Sequence, residues 1–248
     1  MNAAVPTCRT PSEALGVQAV LPRPARLITE LTVEQLEYGL AVLSQHLRRL
    51  HPKELEQGPF ELVVSGGACA VLLLCSRITA KAIDAYTTNY DHFRHVRAAK
   101  DAACQHELQH YPHDWLNWEM LSNVFNHREC DSLFANSLRM NEVVYESKEL
   151  ILYAADWTFQ LATKIGQISH MRMAVLSDNA VDAPRLGRYI RDAAHLLRVI
   201  VGHNKGPVKR NQWKTWYHEG ALLRKEDLWL VEKRYQEIYR SGPGLILN

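Results

Sequence analysis

The sequence has no long apolar run: its longest, Ala68–Cys75, is far short of the roughly 20 residues that a membrane-spanning helix requires. The N-terminus lacks the basic-then-apolar pattern of a signal peptide, so the expectation is a cytosolic, cytoplasmic protein with no membrane partner. There is no excess of one charge sign, because 29 Lys and Arg face 27 Asp and Glu for a net charge of +2. That balance gives no field that would demand a polyanion, and no nucleic-acid partner is implied. No CxxC pair occurs among the five cysteines, Cys8, Cys69, Cys75, Cys104 and Cys130. The odd count, and the placement of some of them in apolar runs, point to thiols acting as small hydrophobes in a reducing compartment. Internal repeats, low-complexity tracts, a P-loop, a G-x-S-x-G elbow and a dinucleotide fingerprint are all missing.

What is present suits a folded chain. The 248 residues are 47% hydrophobic and 23% charged, enough to bury a core without disulfides. Charge is uneven along the chain: Pro184 to Asn248 carries 13 Lys and Arg against 6 Asp and Glu, which reads as the solvated faces of amphipathic helices.

Residues Met1 to Leu27, with Pro6, Pro11, Pro22 and Pro24, read as an irregular arm. Thr32 with Gln35 forms a capping box, and Leu36, Leu40, Leu43, Leu47 and Leu50 line one face of a helix that ends before Pro52. Glu61 to Val64 is β-prone and runs into Ser65-Gly66-Gly67, after which Ala68 to Leu74 reads as a buried helix. A second strand is expected over Ala82 to Thr87, a long helix from Asp91 to His110, and helix again over Trp115 to Phe125. Val143 to Glu146 and Leu150 to Tyr153 are expected to pair across a turn, with Asp156 capping a helix through His170. The last third reads as helices: one begun by Asp182 and Pro184 and ended by Gly202, one capped by Asn211, and one from Glu226 to Arg240. Three regions follow: an N-terminal arm and helix over 1–57, a core over 58–155, and a helical C-terminal region over 156–248, together one compact unit.

His106-Glu107-Leu108-Gln109-His110 matches H-E-x-x-H, in which two imidazoles one helical turn apart hold zinc. With 12 His in the chain and no third ligand nearby, the pattern reads as a solvated helix face, and no metal is expected there.

Taken in order, Val63-Val64-Ser65-Gly66-Gly67, Arg77, Thr79, Ile83-Asp84, Trp115-Leu116-Asn117 and Leu161-Ala162-Thr163-Lys164 resemble the nucleotidyltransferase-fold superfamily. The resemblance is to its small GG-type members related to antitoxin nucleotidyltransferases, and runs from about Gly58 to Val201. It implies an α/β (α+β) fold: a small mixed sheet with an N-terminal helical arm and a helical C-terminal cap. In that family an arginine and a threonine lead into Asp-x-Asp on the second strand, and a Lys-bearing helix and an Arg-Asp segment follow, matched here by Lys164 and Arg191-Asp192. The glycine turn would hold a triphosphate and the paired aspartates Mg2+. Here Ala82 stands where the first aspartate belongs and Asp84 remains as a residual acid. Glu61 and Asp91 are not at the alternating spacing that would replace the missing carboxylate.

Tyr86, Trp115, Trp118, Tyr153 and Trp157 fall on segments that surround the cleft in the resembled fold, while Trp213, Trp216 and Trp229 read as packing residues of the tail. A degenerate Asp-x-Asp motif beside aromatic walls is similar to fungal secondary-metabolite proteins in which the fold is repurposed. The reading is a metal-independent cyclase or pericyclase, Diels-Alderase-like, that takes an apolar small molecule and no cofactor. Arg77, Thr79 and Lys164 are the expected catalytic donors, and Gly66, Gly67, Tyr86, Trp115, Asn117, Trp118, Tyr153 and Trp157 the expected substrate contacts. A surviving nucleotidyltransferase and a non-catalytic, antitoxin-like binding protein are the alternatives, and the oligomeric state is open.

Overall fold

The structure, a computed structural model, describes residues 28–118, 127–176, 183–217, 222–240 and 242–247. The expected arm over Met1 to Leu27 and the expected cap Asp182 lie outside these residues. The chain divides into two compact units, Met1–Ser122 with Ser137–Ala154, and Asn123–Asn136 with Ala155–Asn248.

The first unit is built on a five-stranded mixed sheet. Strand β1 (Leu31–Thr32) leads into helix α1 (Val33–Leu50), whose start is closed by the capping box: the Thr32 amide donates to Gln35 and the Gln35 amide to the Thr32 hydroxyl. Leu36, Leu40, Leu43 and Leu47 of the α1 stripe are buried while Leu50 at its end is exposed, and Pro52 opens the one-turn α2 (Pro52–Leu55). Strand β2 (Phe60–Ser65) then runs through the centre of the sheet to the glycine turn and α3 (Gly67–Leu72). Short β3 (Thr79–Ala80) pairs with β1, and β4 (Ile83–Tyr86) returns antiparallel to β2. Helix α4 (Tyr90–Gln105) is capped by the Asn89 side chain, which accepts from the Asp91 and His92 amides. Beyond it lie β5 (Leu116–Asn117), β6 (Val143–Glu146) and β7 (Leu150–Ala154), while α5 (His127–Met140), between β5 and β6 in the chain, has its residues 127–136 in the second unit. The sheet order is β5-β4-β2-β7-β6, with β2 parallel to β7 and β4 parallel to β5. β6 and β7 form the hairpin expected across Ser147, whose amide donates to the Leu150 carbonyl.

The second unit holds α6 (Trp157–Leu176), α7 (Ala183–Asn204), β8 (Val208–Lys209), α8 (Arg210–Trp213), α9 (Lys225–Tyr239) and β9 (Leu245–Ile246), with β8 and β9 paired in parallel. Asp156 caps α6 as expected, accepting from the Thr158 and Phe159 amides. The buried Glu232 carboxylate of α9 accepts from the Gly244 and Leu245 amides and so anchors β9.

Several elements depart from expectation. Helix α4 stops at Gln105, not His110, because the Ala103 carbonyl takes both the His106 and Leu108 amides and Leu108 turns inward to full burial. The expected helix over Trp115 to Phe125 is instead strand β5 where it is described. Leu116 and Asn117 lie opposite Ile83 and Asp84, and the Ile83 amide donates to the Trp115 carbonyl at 2.7 Å. A short apolar run has no periodicity that tells helix from strand, and the free edge of β4 decides. Residues 119–126 lie outside the described set. α7 continues two residues past Gly202, and α8 begins at Arg210, where the Lys209 amide donates to Gln212, so Asn211 is inside the helix instead of capping it. Among the described cysteines, Cys69 is buried and Cys104 and Cys130 are partly exposed, and none of these three is in a disulfide.

Candidate functional site

Register and the glycine turn bring four of the expected residues, Gly66, Gly67, Asp84 and Asn117, to one corner of the sheet. Ser65 at the end of β2 pairs with Asp84, and Asp84 pairs with Asn117 across the parallel β4–β5 ladder. Directly paired residues point to the same face, so Asp84 and Asn117 stand side by side there. The Asn117 amide donates to Asp84 Oδ1 at 3.0 Å, and Asp84 Oδ2 sits over the glycine turn. Gly66 has φ +73° and ψ −131°, and a Cβ built there would lie 2.8 Å from that oxygen. Gly66 is required by its positive φ and close approach, whereas a side chain at Gly67 would meet the Ala80 Cβ at 3.2 Å and press it back by a few tenths of an ångström. Cys69, in the following helix, donates its thiol to the Val64 carbonyl and ties α3 back to β2.

The same face carries Tyr86 and Tyr153, both paired with Val63 from opposite sides of β2. Tyr153 donates its hydroxyl to Glu61 at 3.4 Å, and partial burial together with that carboxylate raises the phenol's pKa. Glu61 is thereby engaged four residues along β2 from Ser65, roughly 13 Å from the corner. Asp91 lies 4.0 Å from Arg94 on its own helix. Ala82 contributes a buried methyl. Among the described residues, no group of three His, Cys, Asp or Glu side chains converges on Asp84.

Other expected site residues are placed elsewhere. Trp115 is fully buried beneath α1: its ring lies edge-on to Tyr111, and a Cβ on Gly39 would touch it at 3.2 Å. It is a core residue of the first unit, not a cleft wall. Trp118 packs edge-on against Phe93 of α4. That helix lies on the Phe60 side of the sheet, since Phe60 meets His92 and His95 edge-on, and alternation along β2 puts Phe60 on the face opposite Ser65 and Asp84. Thr79 donates its hydroxyl to Glu30 beside the β1–β3 pair, and Arg77 is half-buried two residues before β3. Trp157 and Lys164 belong to the second unit, where Trp157 is buried at the start of α6 and the Lys164 ammonium lies 4.4 Å from the centre of the Tyr189 ring.

The H-E-x-x-H segment is not helical. It follows the end of α4 as turn, with Glu107 bonded to His46 at 2.8 Å and His110 edge-on to Tyr111. Its two imidazoles therefore lack the one-turn spacing that zinc requires, and the expectation of a solvated helix face is corrected along with it.

A feature missed from sequence lies in the second unit. Arg172, Lys225, Glu226, Trp229, Leu230 and Leu247 line a groove of about 430 Å³. Trp229, expected to be packed, is 54% exposed there. Arg172 is held by the fully buried Asp227 at 2.7 Å. The spacing of Trp229 and Leu230 on an amphipathic helix carries no signal that distinguishes a groove wall from a core contact.

No family model, curated protein or solved structure matches this chain.

Proposed function

We propose that the first unit is a nucleotidyltransferase-like core turned from metal-dependent nucleotidyl transfer to the handling of a small organic molecule without magnesium at the glycine turn. The observation that carries this reading is the corner itself. Two-metal phosphoryl chemistry needs paired carboxylates to hold Mg2+, and here a single acid, Asp84, is bonded to a neutral amide, with alanine at the position of its partner. The site keeps the glycine turn and the residual acid but not the charge that would bind a metal-triphosphate.

The reaction class that fits is cyclisation of an apolar intermediate, as in a pericyclase, where catalysis comes from holding the reacting ends together and from hydrogen bonds stronger in the transition state. The groove lined by Trp229 and Arg172 belongs to the second unit and is separate from this corner. A non-catalytic, antitoxin-like binding protein is the second reading, and a specific observation favours it: Trp115 fills the core, and the Thr79 hydroxyl is engaged away from Asp84.

Calorimetric titration of the full chain with the Mg2+ complexes of ATP, GTP, CTP and UTP tests the common claim. The expected result is no magnesium-dependent binding at micromolar concentration; such binding, lost in Asp84→Asn, would restore nucleotidyl transfer. Native mass spectrometry to find a retained organic molecule, followed by NMR of that molecule before and after incubation with the protein, then separates the two readings. An organic molecule retained by the wild type and converted to an isomer of equal mass supports cyclisation, and one retained unchanged supports binding alone.

A further inference from the structure

At the far end of β2 from the glycine turn, three side chains with metal-ligating atoms meet. His51 closes α1, Glu54 lies one turn on in α2, and His95 faces them from α4. Their ligand atoms all lie within 4.8 Å of one another, and the two imidazole rings are 4.2 Å apart centre to centre. Pro52 forces the break that starts α2, so His51 and Glu54 fall at i and i+3 on one side of a turn. His95 is held by Phe60, which meets both His51 and His95 edge-on.

Two ring nitrogens in this cluster, His51 Nε2 and His95 Nδ1, are buried and have no hydrogen-bond partner. Unpaired buried polar atoms are uncommon and call for a reason.

We propose that His51, Glu54 and His95 form a site for one first-row divalent metal ion of the zinc class, with His51 Nε2, His95 Nδ1 and a Glu54 oxygen as ligands and water in the fourth position. Two imidazoles and one carboxylate are borderline ligands that suit zinc and cobalt over magnesium or calcium. Zinc to nitrogen or oxygen distances of about 2.0–2.2 Å place tetrahedral ligand atoms roughly 3.4 Å apart. The observed separations close to that by side-chain rotation. All three residues are partly exposed while His51 Nε2 and His95 Nδ1 themselves are buried, so an ion and its water reach them as the rings turn. The site is independent of the proposed function, since Phe60 opens β2 and Ser65 closes it, roughly 17 Å apart.

The test uses the untagged full chain, stripped by chelator, titrated with ZnCl2 in a calorimeter and with CoCl2 followed by visible absorption. One Zn2+ per chain at micromolar or tighter affinity and the intense visible bands of four-coordinate Co2+ are expected. His51→Ala and His95→Ala, shown folded by circular dichroism, should each weaken zinc binding at least about tenfold, while His106→Ala leaves it unchanged. Should both histidine variants unfold, Glu54→Gln decides: a tenfold loss supports the site and unchanged affinity overturns it. Absence of stoichiometric zinc, retention of binding in the folded histidine variants, or its loss in His106→Ala would also overturn it.

Discussion

Replacing Gly66 by alanine tests the corner on which the functional reading rests. Two costs should appear. The backbone at φ +73°, ψ −131° is one that L-residues avoid, and strain of that kind costs about 1–3 kcal/mol. In addition, the new methyl would lie 2.8 Å from Asp84 Oδ2, and overpacking of that sort adds about 1–3 kcal/mol before the carboxylate shifts. Asp84 is short and bonded to Asn117, so it yields only in part. About 3 kcal/mol is expected for Gly66→Ala alone, and about 2 kcal/mol when Asp84→Ala has removed the obstacle, a coupling near 1 kcal/mol in a double-mutant cycle. Because the chain has two units, urea unfolding should be read alongside hydrogen exchange of peptides covering β2 and β4, which reports this corner locally. A cost below about 0.5 kcal/mol, or the same cost in both backgrounds, would refute the packing of Asp84 over the turn.

Trp115→Ala should destabilise the first unit by about 3–5 kcal/mol, measured by denaturation, as expected of a fully buried indole; a folded, equally stable variant would return this residue to a cleft. Arg172→Ala strips the partner from the fully buried Asp227 and should cost about 3–5 kcal/mol, whereas Arg172→Ala with Asp227→Leu should recover much of that loss; failure of the double variant to recover would show that the pair is not the cause. Acid should weaken the fold in part through His195 and His110, whose pKa values burial holds below 6.5. As pH falls through 6.5 the unfolded chain takes up protons before the folded one does, so this stabilisation is present above 6.5 and is lost below it. Thermal unfolding at pH 7.5 and 5.5 checks the sign, and His195→Gln should flatten the difference.

Local order was legible in the sequence wherever neighbours along the chain define it. The Thr32–Gln35 box, the leucine stripe of α1, the turn at Ser147 and the cap at Asp156 are satisfied within a few residues, so residue type and spacing suffice to read them. The glycine turn was legible for the same reason, because a positive φ and a close approach restrict the position to glycine. What long-range pairing decides was not. Leu116 and Asn117 became a strand because β4 offered an open edge, and that pairing set Asn117 beside Asp84. Trp115 and Trp118 are equal in composition to cleft residues, yet α1 and α4 cover them. The H-E-x-x-H pattern reads as a helix face only while α4 runs through it, and α4 ends ahead of it, while His51, Glu54 and His95, with 40 residues between Glu54 and His95, met only through the packing of α1 on α4. Helical and turn signals decay within a turn or two of chain, whereas a site is assembled from whatever surfaces the sheet and its helices bring into contact, and that depends on the burial of the whole unit.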